Sequence, residues 1–278
     1  MDQPPPEVAV QTLLRTPSLV LRHVCCRGDC RGKGAEECAD ATELVFPYRG
    51  VFMRHLGRDQ AVAEANQVLF FNAGEGYRVS HPTEGGDACL SLAIDAELLR
   101  ELAPRRDLHE GAATAFRRHR QGIGARAQML AAVLRNRLQR NVVEPLEAES
   151  LALDLARASL DDEPPAGASF GRQRLTDRIK VVLAGDLSRR WTLAEIAAEV
   201  GGSPVYLTQV FAQVEGVPLY RYQLRLRLAH ALERLSGDDD LTTLGLDLGF
   251  SSHSHFSAAF RRAYGRSPSA LRRAMRRS

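Results

Sequence analysis

The sequence predicts an α+β chain of two domains, a strand-rich N-terminal barrel or sandwich with a helical pair and a C-terminal all-α domain carrying two helix-turn-helix units. Three observations lead there. Up to Ile94, apolar residues alternate over short runs broken by Gly, Asn, Asp or Pro, and beyond it they recur at helical spacing. The stretch DDEPPAGAS, Asp161–Ser169, is acidic and Pro-containing, as linkers are. One helix–turn–helix pattern then occurs twice, at Thr192–Gly216 and Leu241–Gly265. The expected division is 1–160, a linker at 161–170, and 171–278, with the two units near 193–214 and 242–263.

In chain order, residues 1–17 are Pro-rich and read as loose, and Leu19–Val24 reads as a strand. Cys25–Asp40, CCRGDCRGKGAEECAD, reads as a Gly-rich loop. Strand signals follow at Glu43–Tyr48, Val51–Leu56, Gln60–Ala63, Val68–Phe71, Tyr77–Ser80 and Ala88–Ile94. Several short strands so spaced suggest a sandwich or small barrel. Helices are expected at Ala96–Leu102, Phe116–Arg140 and Glu144–Leu160. Only Asn141–Val143 joins the last two, so they read as an antiparallel pair.

The C-terminal region opens with a helix at Arg174–Leu187. In the first unit Ile196, Ala197 and Val200 precede Gly201; in the second, Leu244, Gly245 and Leu248 precede Gly249 at the same offsets. Leu207 and Phe211 are echoed by Phe256 and Phe260, each pair four apart and so on one helix face. The connector, Pro218–Leu235, carries Leu224, Leu228, Ala231, Leu232 and Leu235 on one stripe. At the helical rise it spans roughly 27 Å. Two recognition helices on one face of DNA stand about 34 Å apart.

In the first recognition helix, Ser203–Val214, Ser203 reads as the N-cap and Pro204 as the first helical residue. Leu207, Val210 and Phe211 point inward, which leaves Val205, Tyr206, Thr208, Gln209 and Gln213 outward. Gln pairs bidentately with adenine and Val meets a thymine methyl. In the second, His253–Ala263, Arg261 and Arg262 suit phosphates. The whole chain carries a net charge of only +3. From Gly171 onward, however, 17 Lys and Arg face 10 Asp and Glu, so the positive charge lies where DNA contact is expected.

The segment GFSSHSHFSAAFRRAYGRSP, with Ile196-Ala197, Gly216, Tyr222, Arg227 and Ala231, resembles the DNA-binding domain of the AraC/XylS family of bacterial transcription regulators. The resemblance spans Trp191–Arg272. It implies that His253, Ser254, Ser257 and Ala258 lie nearest the bases. It also implies a cupin-like β-barrel as an effector-sensing N-terminal domain, to which LVF…RG at 44–50 and FFNAGEGYRVSHP at 70–82 are similar. Double-stranded DNA, RNA polymerase, an effector and a second copy of the chain are the implied partners. In the family such helical pairs commonly form the dimer interface; capping the barrel is the other reading. Ala258 stands where the family often has Arg, which shifts the second unit toward shape and phosphate contact. The C-terminal LRRAMRRS reads either as added backbone affinity or as a frayed tail.

MDQPPPEVAVQ has neither a basic start nor an apolar core, and no run of about 18 apolar residues occurs, so a cytoplasmic location is expected. Cys25, Cys26, Cys30 and Cys38 lie within fourteen residues, and Cys89 follows after His81. Three readings stand: a soft metal such as zinc held by Cys26, Cys30 and Cys38 with Cys89 or His81; a redox sensor; or idle thiols. No catalytic triad, phosphate loop or carboxylate pair stands out, so an enzyme is not expected. Two alternatives remain. Cys26 and Cys30 match half the site of zinc-dependent DNA-repair alkyl acceptors that carry this same type of DNA-binding domain, and a constitutive DNA binder needs no effector.

Overall fold

The computed structural model describes residues 8–27, 31–109, 114–161, 168–237 and 239–277. The chain divides into two compact units, Met1–Asp162 and Glu163–Arg277.

Among the described residues of the first unit, ten strands form two antiparallel sheets. The strands are β1 (Val8–Arg15), β2 (Leu19–Cys26), β3 (Glu37–Cys38), β4 (Glu43–Arg49), β5 (Phe52–Leu56), β6 (Asp59–Ala63), β7 (Gln67–Phe71), β8 (Gly76–Ser80), β9 (Asp87–Ile94) and β10 (Arg120–Gly122). One sheet runs β1-β2-β9-β4-β7-β10, the other β3-β8-β5-β6. Helices α1 (Ala96–Leu102), α2 (Ala125–Gln139) and α3 (Pro145–Leu160) follow. Strand periodicity explains the layering. Leu44, Phe46, Val68, Phe70, Leu90 and Leu92 share one core with Ala127, Leu134, Ala152 and Leu155 of the helical pair. The intervening residues Val45, Leu69, Phe71 and Cys89 share another with Phe52, Ala61 and Ala63 of the four-stranded sheet. The larger sheet is thus covered on both faces, which is why β9 is buried at every position and lacks the alternation of a half-exposed strand. The curled sheets make the cupin-like barrel, and the helical pair closes its outer side.

Three strands differ from the expectations. Residues 1–17 were expected to be loose, yet Val8–Arg15 pairs with β2 from Val8↔Cys26 to Arg15↔Val20, with a bulge between Thr12 and Leu14. It is an edge strand with a largely exposed surface, so its apolar pattern is weak. The expected loop Cys25–Asp40 contains β3, which is held to β8 by only two residue pairs, Glu37↔Tyr77 and Cys38↔Gly76. The helix expected from Phe116 starts at Ala125. Asn72 holds Phe116 in extended backbone, its Nδ2 donating to Phe116 O at 3.1 Å and its Oδ1 accepting from Phe116 N at 2.8 Å. Arg120–Gly122 then pairs with β7.

The second unit is all helical: α4 (Phe170–Gly185), α5 (Leu193–Val200), α6 (Pro204–Glu215), α7 (Leu219–Arg234), α8 (Leu241–Asp247), α9 (His253–Tyr264) and α10 (Pro268–Arg277). The first of these begins at Phe170 rather than Arg174. Ile179 and Leu183 of α4 pack with Ile196, Val200, Leu207, Phe211, Leu219 and Tyr222. The tail is helical to Arg277 and partly packed. Leu271 and Met275 are buried, Arg272 Nε donates to Leu235 O at 3.1 Å, and Arg276 Nη2 donates to Gly237 O at 2.8 Å. These two arginines satisfy carbonyls at the C-terminal end of α7. No described helix is long and apolar enough to cross a membrane.

Candidate nucleic-acid interface and inter-sheet cavity

Each helix-turn-helix is set by its caps. Thr192 Oγ1 accepts from Glu195 N at 3.2 Å and Glu195 Oε2 accepts from Thr192 N at 2.7 Å, a reciprocal box that starts α5. Arg178 of α4 donates to Val200 O at its other end. Ser203 Oγ caps α6 by accepting from Tyr206 N at 3.2 Å, with Pro204 at the first helical position, and Gly216 closes it in the left-handed region. In the second unit Asp240 accepts from Thr242 N and Thr243 N to start α8, and Ser252 accepts from His255 N to start α9.

The inward faces fix the outward ones. Leu207, Val210 and Phe211 are buried on α6, and Phe211 meets Tyr222 of α7 edge to face at 5.1 Å. A ladder of rings runs from Phe250, in the turn before α9, through Phe256 and Phe260 to Tyr264 on that helix, with centroids 5.2, 5.8 and 4.7 Å apart. Opposite this core α6 exposes Val205 (65 %) and Tyr206 (46 %), apolar groups left in water on the face expected to meet DNA. Gln209 is exposed beside them, whereas Thr208 is half-buried and its hydroxyl donates to Val205 O at 2.8 Å. On α9 the residues Ser254, Ser257, Ala258, Arg261 and Arg262 line one concave strip of about 480 Å³. His253, at the start of that helix, lies with Nε2 at 3.4 Å from Ser257 Oγ.

Within the C-terminal unit Arg227, in the middle of α7, ties the two helix-turn-helix motifs to each other. Its guanidinium donates to Leu187 O at 2.8 Å, to Arg189 O at 2.7 Å and to Gly249 O at 3.3 Å. Burial lowers its pKa from the usual guanidinium value. Gly249 has φ 78°, and a Cβ there would lie 2.5 Å from Ser188 O and 2.6 Å from Arg227 Nη2. The turn of the second unit is therefore pressed onto the loop leading into the first, a close approach open only to glycine. The expected connector stripe was half the picture: Leu219, Tyr222 and Leu226 are buried on α7 as well as Leu228, Ala231 and Leu232, because this helix packs on both units.

The first unit holds a cavity of about 450 Å³ between its two sheets. Its polar groups include the Arg22–Glu43 ion pair at 2.6 Å and Tyr77, whose hydroxyl donates to Glu37 Oε2 at 3.0 Å. Burial, with Glu37 beside it, pushes the Tyr77 phenol well up. Of the cysteines expected to bind metal, Cys26 is buried and Cys38 exposed; both line this cavity, while Cys30 lies outside the described residues. Cys26 is grouped instead with His81 and Asp87. Asp87 gave no signal in the sequence; the strand register that sets it opposite Cys26 was the missing information.

A family profile described as a helix-turn-helix domain matches residues 196–274, the two units and their connector. The HTH-type transcriptional activator RhaR of Klebsiella pneumoniae is 33 % identical over 144 residues, half of this chain and 49 % of that one. Residues 196–274 thus match the helix-turn-helix domain of AraC-type regulators. A transcriptional regulator of Chromobacterium violaceum with an AraC-type DNA-binding domain is 28 % identical in its crystal structure, covering 38 % of this chain and 95 % of that one at a TM-score of 0.36. ToxT of Vibrio cholerae is 13 % identical, covering 94 % and 99 % at a TM-score of 0.36. The chain thus spans about half the length of RhaR.

Proposed function

We propose that this chain is a transcription regulator that binds specific duplex DNA through α6 and α9 in successive major grooves. A small effector in the inter-sheet cavity biases that binding. The observation that carries the reading is the duplicated helix-turn-helix, with both recognition helices capped, braced from behind and bearing outward polar and basic side chains. Gln209 and Val205 read bases from α6. His253, Ser254, Ser257 and Ala258 face the groove from α9, and Arg261 and Arg262 meet phosphates. Tyr206 and the methyl of Thr208 add contact area. The cavity falls in the size range of small-molecule sites and mixes apolar walls with a few polar groups. Its ligand acts by binding one state of the protein better than another.

RNA polymerase and a second copy of the chain are the partners this way of working calls for. The apolar face of α2 and α3 is occupied by the sheet, so a dimer contact uses their remaining faces, where Leu146 is 76 % exposed. The repair-acceptor alternative gains no support, because Cys26 is buried at a strand end, a poor position for a nucleophile that must meet DNA.

Footprinting of the full chain on genomic fragments tests the reading. Two protected major-groove segments about one helical turn apart, roughly 34 Å, are expected within each bound site. Uniform protection without such pairs would overturn it.

A further inference from the structure

Among the described residues, Cys26, His81 and Asp87 form the one group of three His, Cys, Asp or Glu side chains whose ligand atoms all lie within 4.8 Å of one another, and all three are buried. Three separate features bring them together. Cys26 ends β2 and Asp87 starts β9, and the two are directly opposed in the ladder, so their side chains share a face of the sheet. His81 follows β8 and enters from the other sheet. Gly86 has φ 65°, and a Cβ there would stand 2.1 Å from Cys26 O, so the turn before Asp87 lies directly on the end of β2.

The imidazole is already oriented. His81 Nε2 and Asp87 Oδ1 are 2.6 Å apart. An ionised carboxylate only accepts, so Nε2 carries the hydrogen, and in the neutral imidazole, the form that binds a metal, Nδ1 holds the lone pair. Nδ1 is buried and has no hydrogen-bond partner. A histidine that donates one ring N–H to a carboxylate and presents the other nitrogen bare is arranged as metal-binding histidines are.

We propose that Cys26, His81 and Asp87 bind one borderline-soft divalent transition cation of the zinc class at the wall of the inter-sheet cavity. Cys26 ligates as thiolate, His81 through Nδ1, and Asp87 orients the ring and supplies the second negative charge. Thiolate and carboxylate together balance a dication, and the thiol proton leaves to solvent as the ion enters. Zinc–sulfur and zinc–nitrogen bonds of about 2.3 and 2.0 Å put tetrahedral ligands roughly 3.5 Å apart, within the 4.8 Å that already encloses one ligand atom from each of the three side chains. The remaining positions face the cavity, open to water or to a ligand atom. Cys38, which also lines the cavity, is exposed on β3 and is not part of the buried group. The site does not depend on DNA binding or on an organic effector, and it keeps one member of the cysteine trio singled out in the sequence.

Cobalt(II) titration of chelator-treated full-length chain, without DNA, is the test. One equivalent is expected to give intense visible d–d absorption and a near-ultraviolet thiolate-to-cobalt band, both removed by zinc. Cys26→Ser should abolish the thiolate band and Cys38→Ser leave it unchanged. Asp87→Asn and His81→Gln should weaken uptake by about 10-fold or more. Circular dichroism checks the fold of each variant; if Cys26→Ser does not fold, Asp87→Asn and Cys38→Ser decide. No thiolate band in the wild type, a band lost in Cys38→Ser, or undiminished affinity in both Asp87→Asn and His81→Gln would overturn the proposal.

Discussion

Thr208 and Gln209 are neighbours on α6 with opposite prospects. The Thr208 hydroxyl already donates to Val205 O within the helix, so only its methyl is offered outward. Gln209 is exposed with an amide whose donor and acceptor match the adenine edge. Gln209→Ala is therefore expected to cost roughly 1–3 kcal/mol at a preferred site and to relax selectivity at one or two base pairs. Binding to a library randomised within the footprint measures both, and an equal loss on every sequence would place Gln209 away from the bases. Residues of this kind were legible in the sequence, because helical period and four buried aromatic or aliphatic anchors fix which side faces out. The Cys26–His81–Asp87 group was not legible as a set, since its members come from three strand ends and meet only through sheet register.

The helices of the C-terminal domain are held by caps that titrate. Glu195 sits in the box with Thr192 and also accepts from Arg189 Nη2 at 2.8 Å. Arg189 first, and the Thr192 backbone and hydroxyl next, hold its carboxyl down to about 2 from the usual 4.5. A carboxylate with a lowered folded-state pKa stabilises above its unfolded value, and that contribution is lost as pH falls through the folded value. The difference in thermal stability between wild type and Glu195→Gln should thus be full near neutrality and shrink between pH 4.5 and about 2. A difference constant across that window in thermal melts would show that the charge is not what caps α5. Caps and periodicity made these helices readable in advance. The strands that went unread are those with least pattern: β1 is mostly exposed, β3 has two residues, and β10 has three, one of them glycine. Their backbone pairing is fixed by neighbours distant in sequence, such as Asn72 for Phe116.

Across the whole molecule, the net charge of +3 understates how strongly the AraC-type domain should respond to salt, and the 17 Lys and Arg after Gly171 overstate it. Many of those cations are committed internally. Lys180 is buried in an ion pair with Glu215 at 2.7 Å, and Arg234 is bridged to Asp239 and Asp247. Arg227, Arg272 and Arg276 bind backbone carbonyls. Arg261 and Arg262 differ: both are exposed, and both line the concave strip of α9. Each phosphate neutralised contributes about −0.9 to the slope of log affinity against log salt. Arg261→Ala with Arg262→Ala should therefore make that slope shallower by roughly 1.8 and weaken binding to all sequences alike. The folded core should be unaffected, because neither side chain takes part in it. The Gln209→Ala variant should show the converse, an altered sequence preference at an unchanged slope. Equilibrium binding at several salt concentrations, on one preferred and one unrelated duplex, separates the two. An unchanged slope in the double arginine variant would mean that α9 does not approach the phosphate backbone and that the second helix-turn-helix is a brace for the first.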